Sequence, residues 1–316
     1  MHLVIALPAY NESATIGQVL DSIKDSFQGV SIVTKLVIDD GSTDTTKEIA
    51  ISKGAMVVSH SHNKGVGAAL QTAVKTALGI DADIMVNIDS DGQFDTSDIE
   101  LIIQPILEDK ADFVTASRFK DKSLKPEMPW IKYQGNRFMS ALISKLTKSK
   151  YYDVSCGFRA YSKETLLRLN LFGSFTYTQE SFLDLAFKGL RIIEVPVKVR
   201  GVREHGKSRV ASNLFKYGSN TISIILHSVI DYRPLSVFGV FALILFLASI
   251  GFGLFFFIHY FVTGRFSPHI WAGFVSGFLF AMGLLVIVLS LLGDMLSRIR
   301  LNQEEILYNQ KTERYK

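Results

Sequence analysis

Cysteine is almost missing from this chain of 316 residues: Cys156 is the only one. A single thiol excludes an intrachain disulfide and fits a reducing compartment. Charge is missing from two long stretches, for no Asp, Glu, Lys or Arg occurs in residues 234–264 or 266–292. Each exceeds the ~20 residues that a helix needs to cross a bilayer. Helices in a soluble core rarely stay uncharged for so long, so the two stretches, parted by a short loop around Arg265, read as a transmembrane hairpin. They also account for a mean hydropathy of +0.23, high for a soluble protein. A basic leader is absent too: residues 1–7 run directly into Pro8-Ala9-Tyr10-Asn11-Glu12, which reads as a first strand and not a signal peptide. The net charge of +4 is small for a protein that wraps nucleic acid, and no nucleic-acid partner is expected. It suits a protein lying on anionic lipid. Internal repeats and low-complexity segments are likewise missing.

What is present has a regular order. Apolar runs at 3–7, 36–38, 55–59 and 84–88 alternate with stretches at 13–27, 43–52 and 65–78 that carry helical spacing, as at Ile16, Val19, Leu20 and Ile23. This alternation predicts an α/β fold with a mostly parallel sheet. Ligands in such sheets bind beyond the carboxyl ends of the strands. From residue 110 the pattern is mixed, with strands expected at 113–115 and 191–199 and a helix at 133–146. Residues 208–230 place Leu214, Tyr217, Ile222, Ile225 and Leu226 among polar residues and read as an interfacial amphipathic helix.

Polar motifs sit at the predicted strand ends. Asn87-Ile88-Asp89-Ser90-Asp91-Gly92-Gln93 sets two carboxylates two residues apart after an apolar run. Oxygen ligands from Asp89, Asp91 and Gln93 suit Mg²⁺ or Mn²⁺ and not zinc. Such a cation can hold a diphosphate as it leaves; a solvated acidic turn would share the same spacing. In Asp39-Asp40-Gly41-Ser42-Thr43-Asp44 a carboxylate can accept hydrogen bonds from a nucleobase or ribose, or Ser42 or Asp44 can cap the next helix. In Asn63-Lys64-Gly65-Val66-Gly67 the lysine can meet a phosphate and Gly67 allows close backbone approach; a plain turn fits as well. Arg200, Arg203, His205, Lys207 and Arg209 form a basic cluster that can clamp phosphate or bind anionic lipid.

Taken together in this order, the motifs resemble those of family 2 glycosyltransferases of the GT-A fold, in particular the polyprenyl-phosphate branch that serves dolichyl or undecaprenyl phosphate. Further matches are Ser117-Arg118, Ser155-Cys156-Gly157-Phe158, Glu194-Val195-Pro196, Gly206-Lys207-Ser208-Arg209 and the Asp231 to Leu235 run that enters the first apolar stretch. The resemblance implies a nucleoside pocket lined by Pro8, Tyr10, Glu12 and Asp40, with Lys64, Gly67 and Ser90 on the nucleotide, and a Mg²⁺ or Mn²⁺ cofactor on Asp89, Asp91 and Gln93. Arg118, Lys132, Arg203, His205, Lys207 and Arg209 would face the acceptor phosphate. The family's last motif usually ends in lysine where this chain has Arg209, and some relatives carry arginine at the positions of Lys132 and His205. His205 is charged only below about its ordinary pKa of ~6.5.

The reaction implied is inverting transfer of one sugar from a UDP- or GDP-sugar to a polyprenyl phosphate, with Asp91 and Arg118 as catalytic groups. The acceptor oxygen is already anionic, so catalysis rests on positioning and charge neutralisation. Asp153 and Asp184 are the carboxylates expected to orient the acceptor or sugar. A processive polysaccharide synthase is the first alternative, but its Gln-x-x-Arg-Trp motif is missing: the only tryptophans are Trp130 and Trp271. The second is a catalytically silent scaffold that binds nucleotide sugars. A Rossmann dehydrogenase would need Gly-x-Gly-x-x-Gly after the first strand.

The expected organisation is a catalytic domain at 1–207, an interfacial region at 208–233, spans at 234–262 and 270–293 around an external loop at 263–269, and a tail at 294–316. Lys216 and Arg233 before the first span, and Arg298, Arg300 and Lys311 after the second, favour both termini in the cytosol. The protein is therefore expected in the cell membrane, or the ER membrane of a eukaryote, as a multi-pass protein. Relatives of this kind can form homo-oligomers.

Overall fold

The computed structural model describes residues 1–171, 177–200, 223, 229–232 and 234–316. Arg203, His205, Lys207 and Arg209 lie outside the described residues, as does most of the interfacial helix expected at 208–233. The chain divides into two compact units, Met1–Ile225 with Tyr308–Lys316, and Leu226–Leu307.

A seven-stranded sheet organises the first unit. Its strands are β1 (His2–Ala9), β2 (Ile32–Asp39), β3 (Met56–Ser59), β4 (Ile84–Asn87), β5 (Phe113–Ser117), β6 (Arg159–Ser162) and β7 (Ile192–Pro196), in the order β3-β2-β1-β4-β6-β5-β7. Leu3, Val4, Ile5 and Leu7 of β1 are all fully buried, because the central strand of a parallel sheet is covered on both faces and has no solvent side to alternate with. Each such side chain contributes about 1.5–3 kcal/mol on leaving water. Helices α1 (Ile16–Ser22), α2 (Thr46–Ser52), α3 (Val66–Gly79), α4 (Ile99–Leu107), α5 (Trp130–Thr147), α6 (Lys163–Arg168) and α7 (Thr178–Phe187) surround it.

The predicted parallel alternation holds for β1 to β4. Three details differ. Helix α1 is shorter than the 13–27 stretch, because residues 13–15 form a turn closed by Thr15 N and Ile16 N on the Glu12 carbonyl. Helices α4, α6 and α7 and strand β6 are additional to the predicted elements. Strand β6 is antiparallel to both neighbours, with Asn87 opposite Arg159 on one side and Thr115 opposite Arg159 on the other. Reversing one strand moves the start of β6, and the loop before it, to the edge where the parallel strands end.

The last residues of the chain belong to this unit. Tyr308 Oη donates to Glu164 Oε2 at 2.8 Å, and Lys311 Nζ donates to the carbonyls of Leu167 and Leu169 and to Asn170 Oδ1. A cation there satisfies carbonyls left open at the end of α6.

The second unit holds α8 (Pro234–Thr263) and most of α9 (Ile270–Arg314). Both are long and apolar enough to cross a membrane, and only 11% and 17% of their most apolar windows is buried. A core helix of a soluble protein would be mostly covered, so this exposure points to membrane association. The two helices meet through small residues. Ser249 Oγ and Ser276 Oγ each donate to the other's carbonyl at 2.8 Å, and a Cβ on Gly283 would stand 2.9 Å from the Phe246 ring. Without water to drive apolar groups together, close backbone approach and hydrogen bonds carry such contacts.

Candidate active site

Three loops from the parallel half of the sheet are stitched together at its carboxyl edge. Asn11, after β1, has a left-handed φ of 53°, and this turns its side chain and amide toward the loop after β2. Its amide donates to Ser42 Oγ at 2.9 Å and its Oδ1 accepts from Thr43 N at 2.8 Å. Glu12 N donates to Thr46 Oγ1. The loop after β4 joins through Ser90, whose Oγ donates to the Pro8 carbonyl at 2.8 Å while its own carbonyl accepts from Thr15 Oγ1 at 2.9 Å. Pro8, Tyr10, Glu12 and Ser90 are thus neighbours on one rim, and Pro8, Tyr10 and Glu12 are half-buried.

Asp40 is held from the loop after β3. Its carboxylate accepts from Lys64 N at 2.9 Å and Gly65 N at 2.8 Å, and His60 Nδ1 lies 2.6 Å away. His60 is fixed in turn by Thr72 at 2.9 Å. Gly41 lets these loops close: a Cβ there would fall 2.6 Å from the His62 carbonyl carbon, at a φ of 75°. The Lys64 side chain is exposed, and Gly67 is buried in the first turn of α3.

In the Asp-x-Asp turn, Asp91 is 4% exposed and its Oδ1 accepts from Gln93 N at 3.0 Å. Gln93 Nε2 donates to the Arg200 carbonyl at 3.0 Å, which leaves Oε1 as its other amide atom. Asp89 has room because residue 157 is glycine. A Cβ at Gly157 would stand 3.2 Å from both Asp89 carboxylate oxygens and 3.3 Å from Tyr177 Oη. Asn87 Nδ2 donates to Tyr177 Oη at 2.8 Å and to the Gly157 carbonyl at 3.0 Å. Burial, and then the charge of Asp89, push the Tyr177 hydroxyl well above the usual tyrosine range, so it stays neutral. Among the described residues no three His, Cys, Asp or Glu side chains gather as a metal site. The donor set here is two carboxylates and an amide, all oxygen, and fits a hard divalent cation that takes its remaining ligands from phosphate.

The second half of the sheet brings a different cluster to the same edge. Arg118 follows β5, and its Nε and Nη2 grip the two oxygens of Asp153 at 2.6 and 2.9 Å. Asp153 is fully buried. Burial alone would raise its carboxyl, but the charge and hydrogen bonds of Arg118 outweigh this, and it sits below the usual carboxylate range. Ser155 Oγ accepts from Arg118 Nη2 at 2.8 Å and lies 3.0 Å from Asn136 Oδ1. Lys132 stands one helical turn before Asn136 on the same face of α5. Behind Asp153 is Glu194 of β7, whose carboxylate accepts from Asp153 N at 2.7 Å and Tyr152 N at 2.9 Å. Burial raises the Glu194 pKa despite these donors, and the neighbouring Asp153 charge adds to the rise. The loop from Val154 to Cys156 is pinned by Arg159, fully buried, which donates to both their carbonyls and to Thr178 O and Ser181 Oγ.

Asp184 stands apart in its contacts. It is buried on α7, where its described partners are Lys188 Nζ at 2.9 Å and Asn170 N. Lys188 Nζ also donates to the Arg168 carbonyl at 2.7 Å, so the pair takes part in joining the end of α6 to α7. Glu194, Asn87, Tyr177 and His60 entered no reading of the sequence as site residues. Only the Glu-Val-Pro resemblance touched Glu194, and nothing local marks the others.

Comparison with known proteins bears on the family and the fold. Residues 4–169 match the model of glycosyl transferase family 2. The chain belongs to that family. Among curated relatives of this family 2 chain, the UDP-N-acetylglucosamine–dolichyl-phosphate N-acetylglucosaminyltransferase of Methanococcus voltae is 32% identical over 62% of this chain and 84% of its own length. A dolichyl-phosphate hexose transferase of Haloferax volcanii is 29% identical over 63% and 82%. A solved structure of glucosyl-3-phosphoglycerate synthase from Mycobacterium tuberculosis, in complex with Mn²⁺, UDP and glucosyl-3-phosphoglycerate, superposes with a TM-score of 0.57 at 25% identity, covering 72% of this chain and 79% of that one. The fold is therefore GT-A, as the sequence implied, and the chain is a glycosyltransferase by family.

Proposed function

We propose that this family 2 chain transfers one sugar from a nucleotide-diphosphate donor to a polyprenyl phosphate at a membrane surface, with inversion. The observation that carries the reading is the meeting at one sheet edge of the Asp89–Gln93 turn and the Arg118–Asp153 pair, in a chain that also has two apolar helices of membrane length. Relatives that act on dolichyl phosphate support it.

Pro8, Tyr10, Glu12, Asp40 and Ser90 bind the nucleoside, and Lys64 and the start of α3 at Gly67 lie beside the phosphates. Asp89, Asp91 and Gln93 would hold Mg²⁺ or Mn²⁺, as the Mn²⁺-bound neighbour suggests; such an ion would supply charge neutralisation for the departing diphosphate. Arg118 faces the acceptor phosphate, and Asp153 fixes the plane of its guanidinium. Lys132 adds a second cation, with Arg203, His205, Lys207 and Arg209 completing the acceptor side. The acceptor oxygen attacks in line, so an α-linked donor gives a β-linked product. The hairpin anchors the chain, with the catalytic unit and both termini on the cytosolic side.

The test is transfer from a panel of labelled UDP- and GDP-sugars to polyprenyl phosphate, with Mn²⁺ or EDTA, and with Asp91→Ala alongside. Label entering the organic phase with one donor, and lost in EDTA and in the variant, is expected. Label moving only to a water-soluble phosphorylated acceptor would refute the lipid acceptor and keep the family 2 reading.

A further inference from the structure

Helix α5 has two faces of different character. One carries Lys132 and Asn136 and turns to the Arg118 cluster through Ser155. The other is exposed and apolar at Trp130, 72% open, and at Ile131 and Phe138, each 61% open. Residues 131, 138 and 145 recur every seven positions and share a stripe, so Lys145 continues the line of Ile131 and Phe138. Among the other described residues of the catalytic unit, the exposed large apolar side chains are scattered over separate elements, as Ile32, Ile51, Met56 and Leu101 are. Here they gather on one helix.

The charge around that face has one sign. Residues 128–152 contain Lys132, Arg137, Lys145, Lys148 and Lys150 and no Asp or Glu. Arg137, Lys145, Lys148 and Lys150 are exposed. Exposed aromatic and aliphatic side chains rimmed by cations are the chemistry of an interfacial helix on anionic lipid. Lys and Arg near such a surface are drawn to its negative charge, and tryptophan suits the boundary because its ring is apolar and its N–H is polar.

We infer that the Trp130–Ile131–Phe138 face of α5, with Lys145 and Lys148, docks on an anionic bilayer surface. Docking then places the opposite face, with Lys132, where lipid phosphates arrive. The inference rests on membrane association of α8 and α9, and does not depend on which sugar or lipid the enzyme uses.

Because the chain has only two tryptophans, Trp271→Phe leaves Trp130 as the single reporter in the full-length protein. It would be reconstituted in vesicles of phosphatidylcholine alone and with phosphatidylglycerol. In the anionic vesicles Trp130 emission should shift to the blue, brominated lipid should quench it, and acrylamide should lose access. Salt, or Lys145→Glu with Lys148→Glu, should reverse these changes. Water-like emission and full acrylamide access in anionic vesicles would overturn the inference. Protection that grows with protein concentration in micelles as much as in lipid would assign the face to a second copy instead, and overturn it too. Release of the whole protein by alkaline extraction would indicate that the hairpin reading, not the α5 reading alone, has failed.

Discussion

The two halves of the proposed site, assigned above to donor and acceptor, hold their charges in opposite ways. On the donor side, carboxylates are held by backbone amides and side chains of nearby loops: Asp91 by Gln93 N, Asp40 by Lys64 N, Gly65 N and His60. On the acceptor side, charges hold each other across 35 residues, as Arg118 and Asp153 do, and Glu194 reaches 41 residues back to Asp153 N. The first arrangement would keep negative charge in place for the proposed cation and diphosphate. The second builds the position of a cation into the stability of the fold, because a buried carboxylate cannot remain without its partner.

The sharpest way to break this contrast is to remove one charge from each half. Arg118→Ala strands Asp153 and should cost about 3–5 kcal/mol of stability along with activity. Arg118→Lys should recover little, since an ammonium cannot make the two-pronged contact. Asp91→Ala should abolish transfer, because it removes a proposed metal ligand, and should cost less stability than Arg118→Ala, which leaves a buried carboxylate stranded. Thermal unfolding in detergent, beside transfer assays, checks all three; equal losses of stability would erase the distinction.

Gly157→Ala tests the seam between the halves. Its Cβ would press on Asp89 and Tyr177, and metal affinity or activity should fall about 10–100-fold. A titration with Mn²⁺ should show the variant needing more ion, while its melting temperature moves far less than that of Arg118→Ala.

Glu194 and Asp153 should also differ in pH dependence. The Asp153 pKa is lowered, so its share of stability is present above the ordinary aspartate value and lost as pH falls through the lowered one. The Glu194 pKa is raised, so its share is full below the ordinary glutamate value and declines as pH rises through the raised one. The stability of the wild type minus that of Glu194→Gln should therefore shrink on going up from about pH 4.3. The same difference for Asp153→Asn should grow as pH rises toward about 3.9. Transfer by Glu194→Gln should fall about tenfold if Glu194 positions Arg118 through Asp153.

The smallest expected effect is at Cys156. Burial pushes its thiol up to about 12, so it should resist alkylation at neutral pH until the protein unfolds. Labelling in the folded state would mean that the loop between the two halves opens.

How much could be read in advance follows the same division. The donor side is written in short motifs at strand ends, since each loop supplies its own ligands and amides; Asp89, Asp91 and Asp40 stand where the alternation of strands and helices puts them. Arg118 was legible through its resemblance and Asp153 was named as a site carboxylate, but their pairing was not, because nothing in the sequence near Asp153 distinguishes a turn carboxylate from an ion pair. Asp184 is a further case: the sequence names it as a carboxylate to orient acceptor or sugar, and only the structure shows that Lys188, four residues on, meets it. Strand β6 escaped because it is four residues long and starts with Arg159, whose burial depends on carbonyls from two other segments.

Composition and order alone determined the α/β class, the place of the polar motifs at the strand ends, and two apolar segments of membrane length, because hydrophobic period and charge content act locally along the chain. Only the tertiary structure decided that β6 runs backward, that its preceding loop meets the Asp-x-Asp turn, and that Glu194, Asp153 and Arg118 form one relay. Those outcomes depend on which distant segments exclude water from one another, and neither local spacing nor residue type carries that information.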